Sequence, residues 1–160
     1  MDRHELLELV RRTTREQFAA QFPHLFLMIA TRALEDEDAG FNTMVAEPGT
    51  SRSSATRELQ HVPITKAAGN PYPDRISVGR ARNCDVVLRD PSVSKLHAHF
   101  RVLTDGKLEL VDLDSQNGTC VNHAPLAGNR PEPIKAGDLV LFGAVSARLV
   151  TAAQVYDLLK

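Results

Sequence analysis

Residues 77–100 combine several side chains that could together bind an anion. The stretch reads SVGRARNCDVVLRDPSVSKLHAHF, and its cationic residues are Arg80, Arg82, Arg89 and Lys95. A guanidinium offers a planar fork of N–H donors, a serine hydroxyl adds one short donor, and an ammonium adds a point charge. These groups suit a tetrahedral dianion such as a phosphate ester. We therefore predict that Arg80, Ser94 and Lys95 are phosphate ligands.

The charge of the whole chain indicates that such an anion site must be local. The 160 residues include 19 lysines and arginines against 20 aspartates and glutamates. This balance lacks the overall positive field on which nonspecific nucleic-acid binding depends. Residues 75–101 alone hold six lysines and arginines against two aspartates, a local balance of plus four. We expect a local phosphate site and no nucleic-acid partner.

Short strands must position these residues. Beyond the first third of the chain, short aliphatic or β-branched runs alternate with turn residues, a pattern typical of an all-β sandwich or barrel. In the run at 97–102, alternation should turn Ala98 and Phe100 toward the core. His97 and His99 should then share the opposite face.

A tight hairpin is predicted to bring two distant loops together. The Asp-Gly pair at 105–106 lies between two apolar runs, which is a strong signal for a two-residue type I′ turn. The register centred on that pair places His97 opposite Asp114, and Ser94 opposite Asn117. The side chain of Asn117 carries both a donor and an acceptor, which suits a peptide backbone. We predict that it lies beside the phosphate ligands.

The N-terminal part of the chain has a different pattern. Residues 2–20 place apolar residues at helical spacing and predict one amphipathic helix that ends before Pro23. This helix could dock a partner or pack on its own domain, and we favour packing. Residues 24–31 predict a buried strand. Residues 35–57 are acidic at first and then rich in Ser, Thr, Gly and Pro, which predicts a long mobile loop.

The end of the chain predicts a short closing helix. Thr151 is a suitable N-cap, and the apolar residues that follow lie at helical spacing. Val155, Leu158 and Leu159 are expected to form its apolar face.

An ordered set of motifs links the chain to a known family. In chain order they are Gly79-Arg80, Ser94-x-x-His97, Asp112-Leu113-x-Ser115-x-Asn117-Gly118-Thr119, Val121-Asn122, Gly137-Asp138 and Phe142-Gly143. As a set, they make the sequence resemble the forkhead-associated (FHA) domain family, clearly over residues 60–150. The resemblance implies an FHA-like β-sandwich of about eleven strands over residues 22–150. Residues 1–21 and 151–160 are then helical extensions.

The resemblance also implies a function, which is the noncatalytic recognition of phosphothreonine peptides by loops at one end of the sandwich. Carried over to the matching positions, Arg80 and Ser94 hold the phosphate and Lys95 assists. The peptide-binding positions are Asn117, Gln116 and Arg82. The positions that shape the loops are Gly79, His97, Gly118 and Thr119, with His97 supporting the site from behind. The implied partners are phosphothreonine proteins, as substrates of a serine/threonine kinase.

Two departures from the family pattern leave a rival function open. Gln116 stands where the family often has a small hydroxyl residue, and His123 stands where it often has glycine. A protein can keep a fold without its usual function. The alternative is therefore an FHA-fold adaptor that binds a protein partner independently of phosphate, through the N-terminal helix or another face.

Two chemical alternatives use the same residues. Ser94, His97 and Asp114 could form a nucleophilic triad, although no G-x-S-x-G elbow accompanies them. His97 and His99, with His123 or Asp114, could bind zinc, although the spacing is unfamiliar. Neither pattern is complete, so we predict that the chain is not an enzyme and holds no metal.

The remaining signals concern cofactors and compartment. Asp112 and Asp114 could suggest paired acids, but Asp112 is better explained as part of the turn motif, and no nucleotide-binding loop is present. We predict no cofactor. Cys84 and Cys120 lie far apart, and the N-terminus has no leader pattern, so we expect a cytoplasmic protein. The longest apolar run, at 25–30, is far shorter than the roughly 20 residues of a membrane span, and no membrane partner is expected.

Overall fold

Two β-sheets pack face to face in the computed structural model, which describes residues 1–31, 58–70 and 72–160. The strands are β1 (Phe26–Thr31), β2 (Glu58–Pro63), β3 (Arg75–Gly79), β4 (Val86–Val87), β5 (Ala98–Val102), β6 (Leu108–Asp112), β7 (Thr119–Val121), β8 (Ala124–Pro125), β9 (Glu132–Ile134), β10 (Leu139–Phe142) and β11 (Val145–Val150). The first sheet has the order β2-β1-β11-β10-β7-β8, and the second has the order β4-β3-β5-β6-β9. This architecture confirms the predicted β-sandwich of about eleven strands. The long loop predicted at 35–57 lies outside the described residues.

Alternating apolar side chains from both sheets form the core, as the strand patterns predicted. Val78 and Phe100 from the second sheet and Leu149 and Phe142 from the first are fully buried. The rings of Phe100 and Phe142 meet edge to face, with centroids 6.2 Å apart, and so join the two layers. The core thereby fixes the ends of β3, β5 and β10, from which the loops extend.

The hairpin between β5 and β6 differs from its prediction by one residue. Ala98 lies opposite Asp112, and the N–H of Leu103 donates to the carbonyl of Lys107 at 2.9 Å. Of the Asp-Gly pair, only Gly106 has a positive φ, at 82°. A type I′ turn needs positive φ at both central residues, whereas one glycine in that region makes a three-residue loop with a bulge. The predicted two-residue turn and its register are therefore wrong.

The histidine pair of β5 is also placed differently. His99 faces outward from the strand as predicted, but His97 precedes the first residue of β5 and is fully buried. Its ring packs edge-on against Phe142, with centroids 5.9 Å apart. The strand begins at Ala98, so its alternation does not extend to His97.

Three helices lie at the two ends of the chain. They are α1 (Arg3–Arg12), α2 (Arg15–Gln21) and α3 (Ala152–Leu159). The helix predicted over residues 2–20 is thus two helices, because Thr14 has extended backbone and caps α2 by accepting from the N–H of Gln17. Thr151 caps α3 in the same way, as predicted. Within the described ranges, none of the helices is long and apolar enough to cross a lipid bilayer.

The helices pack on the outer side of β1 and β11 and bury an aromatic cluster. Phe18 is fully buried, with its ring centroid 5.7 Å from that of Tyr156 and 6.1 Å from that of Phe26. The hydroxyl of Tyr156 donates to the carbonyl of Thr13 at 3.0 Å. Because the apolar side of α1 is buried in this cluster, α1 packs on its own domain. The sandwich boundary at residues 21 and 22 stays a prediction.

The predicted apolar face of α3 is partly wrong. Ala152, Val155 and Tyr156 are buried, but Leu158 is 59% exposed. Positions 152, 155, 156 and 159 share one side of a helix with 3.6 residues per turn, and position 158 falls outside that stripe. Leu158 therefore serves as a surface residue.

A buried carboxylate joins β3 to the segment that precedes it. The side chain of Asp85 is 1% exposed and accepts hydrogen bonds from the N–H groups of Ala67 and Ser77, the Asn70 amide and the Lys66 ammonium, at 2.5–3.0 Å. Burial alone would raise the pKa of the Asp85 carboxyl. The hydrogen bonds outweigh burial and lower the pKa to about 2. The ionised carboxylate therefore stabilises the folded chain.

Truncation of the aromatic cluster is expected to destabilise the whole sandwich. Phe18→Ala should lower the free energy of unfolding by about 3–5 kcal/mol, because it leaves a cavity among buried rings. Urea denaturation followed by circular dichroism measures this loss. Leu158→Ala on α3 is the control and should change stability by no more than about 0.5 kcal/mol. Equal effects of the two substitutions would contradict the packing role of the cluster.

Asp85 is expected to make stability depend on acid. An ordinary aspartate has a pKa of 3.8, and the folded value is about 2. The stabilisation is fully present above pH 3.8 and is lost as the pH falls to about 2, which amounts to about 2 kcal/mol. Urea unfolding between pH 5 and pH 2 measures it. Asp85→Asn should be less stable at pH 5 and show a shallower decline, whereas parallel declines would exclude the role of this carboxylate.

Candidate functional site

Three loops meet at one end of the second sheet. They connect β3 to β4, β4 to β5, and β6 to β7. The N–H of Arg80 donates to the carbonyl of Ser94 at 3.0 Å, and the N–H of Ala81 donates to the carbonyl of Lys95 at 3.1 Å. A Cβ on Gly79 would overlap the Lys95 carbonyl oxygen and crowd the sulfur of Cys84. Glycine is therefore required for the first two loops to approach so closely.

A buried imidazole holds the second loop against the third. The Nδ1 atom of His97 accepts from the N–H of Ser94 at 3.0 Å, and Nε2 lies 3.0 Å from the carbonyl oxygen of Gly118. Because Nδ1 is the acceptor, the ring proton belongs on Nε2, which then donates to Gly118. The ring supports both loops from the core side, where the resemblance places His97.

The hydroxyl of Ser94 lies at the junction of these two loops. Its oxygen accepts from the N–H of Gln116 at 3.1 Å. Among the described contacts, the hydroxyl hydrogen is left to donate to a ligand. The exposed side chain of Asn117 lies next in sequence, and its amide donates to the carbonyl of Ser92 at 2.8 Å. The predicted juxtaposition of loops 91–95 and 114–119 is confirmed, although its register is not.

The guanidinium of Arg80 is oriented over the second loop. Its Nε–H donates to the carbonyl of Val93 at 3.0 Å. That single bond uses one of the five N–H donors of the side chain. The two terminal nitrogens remain on an exposed residue beside Ser94. Arg80 and Ser94 can thus direct donors toward one small anion.

The other predicted cations divide into two groups. Lys95 follows Ser94 directly, and Arg82 lies in the first loop; both are exposed. Arg75 lies at the opposite end of β3, about 13 Å from Gly79 at about 3.3 Å per residue. The positive charge at the loops therefore comes from fewer residues than the local balance suggested.

The third loop folds around a buried aspartate. Asp112 accepts from the Ser115 N–H and hydroxyl and from the Thr119 hydroxyl, the last at 2.7 Å. Gly118 has φ of 81°, which turns the chain back into β7. These contacts give Asp112 the turn role predicted for it, and they position Asn117 at the tip.

Sequence reasoning missed the role of Ser92 in the site and singled out Gly143 only as part of the Phe142-Gly143 motif. The hydroxyl of Ser92 donates to Asp90 and accepts from the N–H of Ala144, so it joins the second loop to the turn between β10 and β11. A Cβ on Gly143 would overlap the Ser92 carbonyl oxygen, and φ is 59° there. The Asp-x-Ser spacing at 90–92 is a turn signal that could have indicated the first contact.

The hydrolase alternative does not fit the geometry. Both ring nitrogens of His97 face backbone groups, so within the described residues its ring contacts neither the Ser94 hydroxyl nor the Asp114 carboxylate. Asp114 instead accepts from the amide of Asn129 at 2.9 Å. No group of three or more His, Cys, Asp or Glu side chains in the described part of the chain is arranged to hold a metal ion.

The chain resembles known proteins over the same region. A family model described as FHA domain matches residues 76–143. The oxoglutarate dehydrogenase inhibitor of Corynebacterium glutamicum is 32% identical over 114 residues, which cover 71% of this chain and 68% of that protein. The protein of the same name from Corynebacterium diphtheriae is 42% identical over 67 residues, which cover 42% of this chain and 44% of that one.

A solved structure agrees with these relatives. The FHA domain of yeast Dun1, determined in complex with a doubly phosphorylated peptide, superimposes with a TM-score of 0.51 at 25% identity. The match covers 81% of this chain and 76% of the yeast chain. With the two-sheet topology, the matched motif region and a relative aligned over most of both lengths, the chain belongs to the forkhead-associated domain family.

Proposed function

We propose that this chain is a noncatalytic module that recognises phosphothreonine in a partner protein. The observation that carries the proposal is that the Arg80 guanidinium is bonded to the carbonyl of Val93, the residue directly before Ser94, whose hydroxyl lies at the same loop junction. Arg80 is held to the second loop by its Nε, and Ser94 is held to the third loop by its oxygen. Both can still donate to a ligand. Charge-assisted hydrogen bonds from two fixed donors are the interactions that a phosphate dianion uses best.

The neighbouring side chains have supporting roles in this proposal. Lys95 adds positive charge beside the phosphate. Asn117 orders the peptide main chain, with Gln116 and Arg82 as further contacts. The departure at Gln116 does not remove the bond to Ser94, because that bond comes from the Gln116 backbone. Any residue other than proline can supply it.

The relatives favour action through binding rather than catalysis. Two are named as inhibitors of oxoglutarate dehydrogenase, and the yeast domain was solved with a phosphorylated peptide. We infer that this chain likewise acts by protein–protein contact, in the cytoplasm, on a protein phosphorylated by a serine/threonine kinase.

Removal of either donor is expected to abolish or weaken phosphate-dependent binding. Arg80→Ala should weaken binding of a phosphothreonine peptide library by at least about 30-fold, because a charged hydrogen-bonding partner is lost. Ser94→Ala should weaken it by about 10- to 100-fold. Titration by fluorescence polarisation, with the unphosphorylated library in parallel, measures both effects.

The control is Arg11→Ala, which removes an exposed arginine on α1, the helix that packs on the first sheet and not on the sheet that carries most of the loop ends. It should leave the affinity unchanged, and circular dichroism should show that all variants are folded. If wild type binds both libraries equally, phosphothreonine recognition is wrong and the phosphate-independent adaptor takes its place.

Binding is also expected to depend on the second ionisation of the phosphate. That pKa is about 6, so affinity should fall as the pH decreases from 7.5 to 5, when the dianion becomes a monoanion. The affinity should also fall as the salt concentration increases from about 0.05 to about 0.5 M, because salt screens the attraction between the phosphate and the exposed cations of the site. Calorimetric titration at each pH gives the profile, and a flat profile would argue against dianion recognition.

A further inference from the structure

The tip of the third loop carries the only asparagine of the chain that is followed directly by glycine, at Asn117-Gly118. The side-chain amide of an asparagine can be attacked by the backbone nitrogen of the next residue, which closes a succinimide ring. Glycine permits this attack most readily, because it has no side chain to shield its nitrogen. The other asparagines precede Thr, Pro, Cys, His and Arg. Asn117 is therefore the position most open to this spontaneous reaction.

The attacking nitrogen belongs to a glycine with open surroundings. Gly118 has φ of 81°, and a Cβ placed on it would meet no atom within 4 Å. Among the described contacts, the N–H of Gly118 has no acceptor. Its carbonyl, on the other side of the same Cα, accepts from the ring of His97 and from the N–H of Gly143, both at 3.0 Å. The nitrogen is therefore unpaired beside a peptide unit that is held in place.

The amide under attack is exposed and lies beside a cation. The Nδ2 of Asn117 donates to the carbonyl of Ser92 at 2.8 Å, and the guanidinium of Arg80 donates to the carbonyl of Val93 at 3.0 Å. Asn117 and Arg80 are thus bonded to consecutive carbonyls of the second loop. Attack on an amide carbon creates an oxyanion, and a nearby fixed cation stabilises such an oxyanion. The position of Arg80 therefore favours the reaction at Asn117.

We propose that Asn117 is a self-modification site, at which the ligand-free chain loses the side-chain amide as ammonia and gains a carboxylate that pairs with Arg80. The paired guanidinium is then unavailable to a phosphate. The chemistry at Asn117 stands independently of the proposed function, whereas its consequence for phosphothreonine binding rests on that function.

Water is the only co-reactant that this reaction needs. The nitrogen of Gly118 forms a bond to the Cγ of Asn117, and the bond between Cγ and Nδ2 breaks. Nδ2 leaves as ammonia and carries the proton that the glycine nitrogen gave up. Water then adds to one of the two succinimide carbonyls, and the ring opens to aspartate or to isoaspartate. No group is oxidised or reduced.

Either product changes the contacts that order the site. A carboxylate has no N–H to donate to the carbonyl of Ser92, so that contact is lost. The guanidinium of Arg80 is the donor that matches a carboxylate best, and the pair uses the donors that a phosphate requires. A carboxylate at this position also repels a phosphate dianion. Isoaspartate in addition lengthens the main chain, which displaces the Gly118 carbonyl from His97.

The first test measures the chemistry in the full chain without ligand, kept at mildly alkaline pH and followed by tandem mass spectrometry. Asn117 should exchange its amide for a carboxylate at least about tenfold faster than Asn83, Asn122 or Asn129. Gly118→Ala should slow this exchange by at least about tenfold, because the added Cβ shields the nitrogen. The chain unfolded in urea serves as the reference. If Asn117 reacts in urea but keeps its amide in the folded chain, the proposal is wrong.

The second test measures the consequence with the phosphothreonine library and its unphosphorylated twin. Asn117→Ala removes the amide, and Asn117→Asp supplies the carboxylate. Asn117→Asp should bind the phosphorylated library at least about tenfold more weakly than Asn117→Ala does. Equal affinities would contradict the competition of the carboxylate with phosphate. If fresh wild type shows no phosphate-dependent binding, the proposed function is wrong, and the mass measurement still decides the chemistry.

Discussion

The contact on which the site most depends is made by a buried side chain that no ligand touches. His97 accepts from the backbone of Ser94 and donates to the backbone of Gly118, while its ring packs on Phe142 of the core. One imidazole thus fixes two loops relative to each other and to the sandwich. A planar ring with a donor and an acceptor on opposite sides suits this role, whereas a purely apolar ring would leave a buried N–H and a carbonyl unpaired.

Similar contacts recur around the site and order the loops that carry its exposed residues. Ser92 joins the second loop to the turn after β10, Asp112 closes the third loop, and Asp85 joins β3 to the segment before it. In each case a short polar side chain satisfies backbone groups that no strand partner satisfies. The exposed Arg80 and Lys95 therefore need only point outward from an already ordered frame, which is how preorganised sites limit the cost of binding.

The sequence was informative wherever one residue type has one structural use. The alternating runs predicted the two sheets, Thr151 predicted α3, and the juxtaposition of Ser94 with the Asn117 loop followed from a hairpin at Gly106. The sequence was misleading where two local structures share the same sequence motif. Asp-Gly suits a two-residue turn and a bulged three-residue loop equally, and the choice shifted the register by one. The break at Thr14 was missed because threonine also occurs within helices. The bonds of Asp85 to Ala67 and Asn70 were missed because they are tertiary contacts that no local pattern indicates.

The contacts between the N-terminal and the C-terminal elements have a consequence for the order in which the chain folds. β1 pairs with β11, and Tyr156 bonds to Thr13, 143 residues away. Contacts of such separation close large loops and form late, whereas the β5–β6 hairpin closes a loop of a few residues. During synthesis, Phe18 and Phe26 must remain without their partners Tyr156 and Val150 until β11 and α3 have been made. Strand β1 therefore has only β2 to pair with until β11 is made, whereas all strands of the second sheet precede β10 in the chain.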